Sequence, residues 1–190
     1  MFRDLCRILL RLSGWKLDPN LPKDIHKSIV IAAPHTSNWD FWYMILSFGI
    51  YGLQIRFTVK KEWMRFPFNI IMRPLGGIAI DRSPRQDGNR PSLVEGMVQL
   101  FNDNTDLIIV ITPEGTRSKQ AAWKTGFFYV AQNANVPILL GYVDYKTKTA
   151  GIGKKIIPTS YESTMKEIMD FYQHIHTKFP EKFALDQSFL

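Results

Sequence analysis

The sequence predicts an α/β fold, a single domain with a largely parallel sheet flanked by helices, plus a short N-terminal amphipathic helix. Three observations predict it. The runs Ser28–Ala33, Leu107–Ile111 and Val136–Val143 are almost continuously apolar, the pattern of strands buried on both faces. Helical patterns lie between these runs, as crossovers between parallel strands require. The chain has 190 residues, 45% of them apolar and 22% charged, enough for one proper core without staples. Residues 1–190 therefore read as one domain, with neither linker nor repeat.

The elements follow in order. Within residues 1–14, the stretch 2–13 predicts an amphipathic helix. Arg3, Arg7 and Arg11 fall four apart along one side, and Phe2, Leu5, Leu9 and Leu12 supply an apolar face. Such a helix suits either a lipid interface or a docked position on its own domain. Ser28–Ala33, Ile55–Val59, Ile78–Ile80, Leu107–Ile111 and Val136–Val143 are strand candidates. Pro91 followed by Val94, Met97, Val98 and Phe101 predicts a helix with Pro in its first turn. Ala122–Asn133 predicts another. Thr159 and Glu162 can form a capping box for a last helix, whose apolar positions run from Met165 to Phe179.

Composition narrows the function classes. Cys6 is the sole cysteine, which excludes a disulfide within the chain and a thiolate zinc site. Its leucine surroundings predict packing rather than nucleophilic chemistry. The net charge of +7 permits anionic partners, but the cations are scattered, with no basic stripe and no nucleic-acid motif. The longest uncharged stretch, Phe41–Ile55, falls short of the roughly 20 residues a membrane-spanning helix needs. Arg7 and Arg11 interrupt what would be the apolar core of a signal peptide.

Chemistry collects after the strands. Pro34 to Asp40 follow the first, Lys60 and Lys61 the second, Asp81 and Arg82 the third, and Thr112 to Arg117 the fourth. In open parallel sheets ligands bind outside the carboxyl ends of strands. His35 and Asp40, five apart, would point about 140° apart on one helix. They meet only if His35 sits in a turn and Asp40 in the first turn of the helix that follows, capped by Thr36 or Ser37. There the helix dipole favours an ionised Asp40 beside a neutral imidazole, the arrangement a general base requires. Gly115 permits close backbone approach or positive φ. Arg82 and Arg117 can each grip a phosphate through paired hydrogen bonds.

These residues resemble the glycerolipid acyltransferases, a family that includes enzymes acylating lysophosphatidate. Four ordered motifs carry the resemblance across about residues 28–145: Pro34-His35-Thr36-Ser37-Asn38-Trp39-Asp40, Gly76 to Arg82, Thr112 to Ser118, and Val136-Pro137-Ile138-Leu139-Leu140. Lys124-Thr125-Gly126 matches a further element between the last two. Thr112, Ala79 and Leu140-Gly141 depart from the family pattern. The resemblance implies the glycerolphosphate-acyltransferase-like fold and transfer of an acyl group from acyl-CoA or acyl carrier protein to the hydroxyl of a lysophospholipid such as 1-acylglycerol-3-phosphate. In it His35 is the catalytic base and Asp40 orients the imidazole. Arg82, Glu114, Gly115, Thr116, Arg117 and Lys61 bind substrate. No metal and no cofactor is implied, the acyl thioester being a co-substrate. No acyl-enzyme is needed, and backbone N–H groups near Gly115 or the helix start are candidates for the oxyanion. Trp39, Phe41, Trp42 and Met44 are candidates for an acyl groove. The partner surface is a membrane, met peripherally from the cytoplasmic, inner face.

Other readings are a lipid binder without catalysis on the same fold, an acyltransferase for a different hydroxylated lipid, and a lipid hydrolase. A binder has no need of the base, and no Gly-x-Ser-x-Gly elbow is present for the hydrolase.

Overall fold

A computed structural model describes residues 2–23, 25–59, 64–79 and 92–190. Helix α1 (Phe2–Leu12) precedes the short strand β1 (Lys16–Leu17), then β2 (Lys27–Ala32), α2 (Asn38–Tyr51), β3 (Ile55–Val59), α3 (Asn69–Met72) and β4 (Gly77–Ala79). The second half runs α4 (Leu93–Asp103), β5 (Leu107–Ile111), α5 (Gly126–Asn133), β6 (Ile138–Asp144), β7 (Thr149–Ile156) and α6 (Tyr161–Tyr172). The strands form one sheet in the order β1-β7-β6-β2-β5-β3-β4. From β6 to β4 all neighbours are parallel, whereas β7 is antiparallel to β6 and parallel to β1.

The apolar runs form strands because they are covered on both faces. Ile29, Val30 and Ile31 of β2 are fully buried. Ile29 and Ile31 pack with Met97, Phe101, Phe127 and the α6 residues Met165 and Ile168. Val30 packs on the opposite side with Phe48 of α2 and Val110 of β5. A third cluster joins α1 to α2 through Cys6, Leu10, Leu46 and Ile50. Cys6 is buried against Gly49, where an added Cβ would strike its sulfur, and that burial raises the thiol pKa. Cys6 is thus a packing residue.

Several local details differ from the sequence reading. Strands β1 and β7 were not expected; β7 alternates less regularly, with exposed Gly153, Lys154 and Lys155 in its second half. Helix α4 begins after Ser92, which forms a capping box with Glu95; Pro91 lies outside the described residues. Helix α5 begins at Gly126 rather than Ala122; before it, the N–H groups of Trp123 and Lys124 are bonded to the Asp186 carboxylate and the Pro113 carbonyl. Helix α6 is capped by Ser160 instead of a Thr159–Glu162 box; the Thr159 N–H donates to Thr164 Oγ1.

Candidate active site

Parallel pairing of β2 with both β5 and β6 brings three carboxyl ends to one edge of the sheet. Residues 33–37 leave β2, residues 112–117 leave β5, and Tyr145 directly follows β6. The α6 residue Tyr172 braces this edge from within. Its fully buried hydroxyl lies 3.0 Å from the Ile31 carbonyl and 2.9 Å from that of Gly141, sharing one proton between neighbouring strands.

The turn before α2 is built by Asp40. Its Oδ2 accepts from the N–H groups of Thr36 and Ser37, both at 2.7 Å, while the Ser37 hydroxyl caps the same helix. This reciprocal box fixes the turn that carries His35. His35 Nδ1 lies 3.6 Å from Asp40 Oδ2. That is beyond hydrogen-bond range, as befits an oxygen already holding two N–H donors; catalytic hydrogen bonds of unliganded enzymes often tighten only with substrate bound. With Nδ1 turned to the carboxylate, Nε2 is the ring nitrogen left for chemistry. The other oxygen, Asp40 Oδ1, accepts from the Tyr145 hydroxyl at 2.7 Å. Burial, and next the bond to Asp40, raise the Tyr145 pKa, so the phenol stays a donor.

Glu114 sits beneath the same turn. The residue is 6% exposed, and its carboxylate accepts from the His35 backbone N–H, at 2.9 Å to Oε2. Burial pushes its pKa up to about 7; the His35 N–H pulls the other way, and the charge of Asp40 adds to the rise. Glu114 was expected among the substrate-binding residues, but its place is behind His35, where it holds the backbone. Its proton has a thermodynamic consequence. Between its ordinary pKa of 4.5 and about 7, the folded chain holds a proton that the unfolded chain has lost. This group therefore lowers stability as pH rises through that window, by at most about 3 kcal/mol once pH exceeds the upper value. Glu114→Gln should remove the effect. Thermal unfolding across pH 4.5 to 7 should show the variant gaining steadily on the parent, then holding its lead. A constant offset at all pH values would contradict this account.

The Gly115 φ of +66° places it in the left-handed region, and a Cβ there would run into the Lys124 side chain. The Gly115 N–H donates to the Thr112 carbonyl. The N–H groups of Thr36, Ser37 and Trp39 are likewise taken, by Asp40 and the Ser37 hydroxyl. These four backbone donors are thus already engaged. Asn38 and Lys124 are among the polar side chains that line the same cavity as His35. The Thr116 hydroxyl accepts from the Ser118 N–H, and Arg117 is exposed beside it. Lys61 and Arg82 lie outside the described residues.

The cavity has a volume of about 740 Å³, within the range of small-molecule sites. It crosses the carboxyl edge of the sheet, from Phe41, Met44 and Phe48 on one side to Val94, Met97 and Phe127 on the other. Of the four residues expected to form an acyl groove, Phe41 and Met44 line it. Trp39 and Trp42 do not; they are 52% and 42% exposed. His35, Asn38, Asp40, Arg117 and Lys124 are among its polar members, with Thr112 and Tyr142. The structure thus brings together His35, Asp40, Glu114, Gly115 and Arg117. The sequence reading missed Tyr145, which carries no motif and reaches Asp40 only because β6 lies beside β2.

Comparison with known proteins gives the family and the fold. A family model described as Acyltransferase matches residues 17–140. The crystal structure of 1-acyl-sn-glycerophosphate (LPA) acyltransferase, PlsC, from Thermotoga maritima superimposes with a TM-score of 0.58 at 19% identity, covering 90% of this chain and 74% of that one. No curated protein sequence matches the chain.

Proposed function

The chain belongs to the acyltransferase family, and on that premise we propose that it moves a fatty acyl group from an acyl thioester to the hydroxyl of a lysophospholipid such as 1-acylglycerol-3-phosphate. The observation that carries this reading is His35 lining a largely apolar cavity, with Nδ1 toward Asp40. In the proposed reaction His35 Nε2 takes the acceptor hydroxyl proton as the alkoxide attacks the thioester carbonyl. Lys124 or Asn38 faces the oxyanion, which benefits from fixed donors in a dry site. Collapse expels the thiolate, which recovers the proton from the imidazolium. Neither step requires a covalent enzyme intermediate. Arg117, with Arg82 and Lys61 as the sequence suggests, holds the acceptor phosphate; Thr116 and Gly115 shape the loop that carries Arg117.

An acceptor panel tests the assignment. Transfer to lysophosphatidate should exceed transfer to the same lipid lacking phosphate by at least about tenfold, the equivalent of one strong charge-assisted contact. Equal rates would move the acceptor to a non-phosphorylated lipid.

A lysolipid acceptor resides in membranes, and we place the protein peripherally on the inner, cytoplasmic face. No described helix is long and apolar enough to cross a bilayer. Helix α1 docks through Cys6 and Leu10 yet leaves Phe2, Leu5, Ile8 and Leu12 exposed, Leu12 at 80%. Its arginines flank this face, an arrangement suited to an anionic interface. Replacing Leu5, Ile8 and Leu12 together by Ser changes side chains that are at least half exposed and leaves Cys6 and Leu10 in place, so the fold should hold. Co-sedimentation with anionic vesicles should weaken by at least about tenfold. Undiminished sedimentation would make α1 a brace and place lipid contact elsewhere.

A further inference from the structure

A second cleft, of about 370 Å³, lies beside the catalytic turn. Asn38 and Trp39 of α2, Arg117, and Lys178, Phe179 and Lys182 of the C-terminal segment line it. It shares Asn38 and Arg117 with the apolar cavity that His35 lines, so the two adjoin. The three C-terminal residues lie beyond the stretch matched by the family model.

The charges of this cleft are unbalanced. Three cations and no carboxylate line it. Among the described residues, none of Arg117, Lys178 and Lys182 pairs with a carboxylate. The lysines lie instead against aromatic faces: Lys178 Nζ is 5.4 Å from the Trp39 ring centroid, and Lys182 Nζ is 4.4 Å from that of Phe179. Asp40 makes no ion pair with them; its oxygens accept from two N–H groups and the Tyr145 hydroxyl. Like charges held together repel, and an anionic ligand relieves that cost.

We infer that this cleft binds the phosphorylated nucleotide end of a coenzyme A thioester, while the acyl chain enters the adjoining apolar cavity. The inference rests on the acyl-transfer reading and selects the donor. A thioester donor has one apolar arm and one phosphorylated arm joined at the reacting carbonyl, which matches an apolar cavity and a cationic cleft meeting beside His35. A phosphomonoester headgroup carries about two charges and has no π face. Coenzyme A brings a diphosphate, a ribose phosphate and a purine. With Arg117 kept for the acceptor phosphate, two lysines and two aromatic rings suit that larger set: the base stacks on a ring from which one lysine swings onto phosphate, and the second lysine takes another phosphate.

The test titrates the full chain with coenzyme A by calorimetry and pairs this with steady-state kinetics. Lys178→Ala with Lys182→Ala should weaken coenzyme A binding by at least about tenfold, two charge-assisted contacts being lost. The paired change to Arg should keep most of the affinity, and 3′-dephospho-coenzyme A should bind more weakly than coenzyme A to the parent. KM for acyl-CoA should rise in parallel with the binding loss, with acceptor KM and kcat changing by less than about twofold. Both lysines are exposed, and an unchanged unfolding temperature confirms that the fold is intact. Undiminished coenzyme A affinity overturns the inference. So does a rise confined to acceptor KM, which would make the cleft a headgroup site. Turnover with acyl carrier protein alone, lost on changing the lysines, also overturns it and assigns the cleft to a protein surface. Binding needs no turnover, so a chain that binds coenzyme A through these lysines but transfers nothing would refute the transferase reading and spare the cleft.

Discussion

His35→Ala is expected to lower acyl transfer by about 10²–10⁴-fold, the usual contribution of a positioned general base, with the fold intact. The folded state should tolerate the change because the bonds at this position belong to the backbone. The His35 N–H that Glu114 holds is kept by alanine, and the imidazole itself makes only the 3.6 Å approach to Asp40. kcat and the unfolding temperature should be measured on the same preparation. A large loss of activity with little change in unfolding temperature is the expected pair. Near-normal transfer by the folded variant would remove His35 from the mechanism.

The second large effect concerns the pair behind the imidazole. Asp40→Asn should reduce kcat by roughly tenfold to a hundredfold, less than His35→Ala, because the base remains but loses its anchor. Tyr145→Phe should reduce it by a smaller factor, leaving both KM values in place, because the phenol touches Asp40 rather than substrate. If Tyr145 acts only through Asp40, the two losses will not multiply: the double variant should match Asp40→Asn alone. Losses that multiply, or a Tyr145→Phe effect confined to KM, would give Tyr145 another role. Removing the phenol also costs a hydrogen bond to a charged group, about 1.5–3 kcal/mol. Kinetics therefore belong well below the unfolding temperature of the variant.

The parallel core was legible because burial on both faces leaves a mark in one sequence. Ile55–Val59 and Leu107–Ile111 occur as expected, and the strand expected over Ser28–Ala33 runs Lys27–Ala32. The edge strands were not legible: Lys16–Leu17 is too short to show a period, and Thr149–Ile156 mixes glycines and lysines into its second half. Helix starts were misplaced: α5 begins at Gly126, after a segment in which Trp123 N–H is bonded to Asp186. At the site, the expectation that His35 and Asp40 meet across a turn and a helix start matches the capping box found there. Glu114 was legible as a motif residue, but its burial beneath His35 was not. Tyr145 left no signal, since its contact with Asp40 spans 105 residues and depends on strand order.

The most direct measurement follows consumption of a labelled acyl thioester by the purified chain, with and without lysophosphatidate. Direct transfer by His35 predicts that donor disappears one for one with diacyl product and is stable without acceptor, and that intact-protein mass spectrometry finds no acylated chain. Acceptor-independent hydrolysis, a covalent acyl-enzyme, or binding of both lipids without turnover would contradict it.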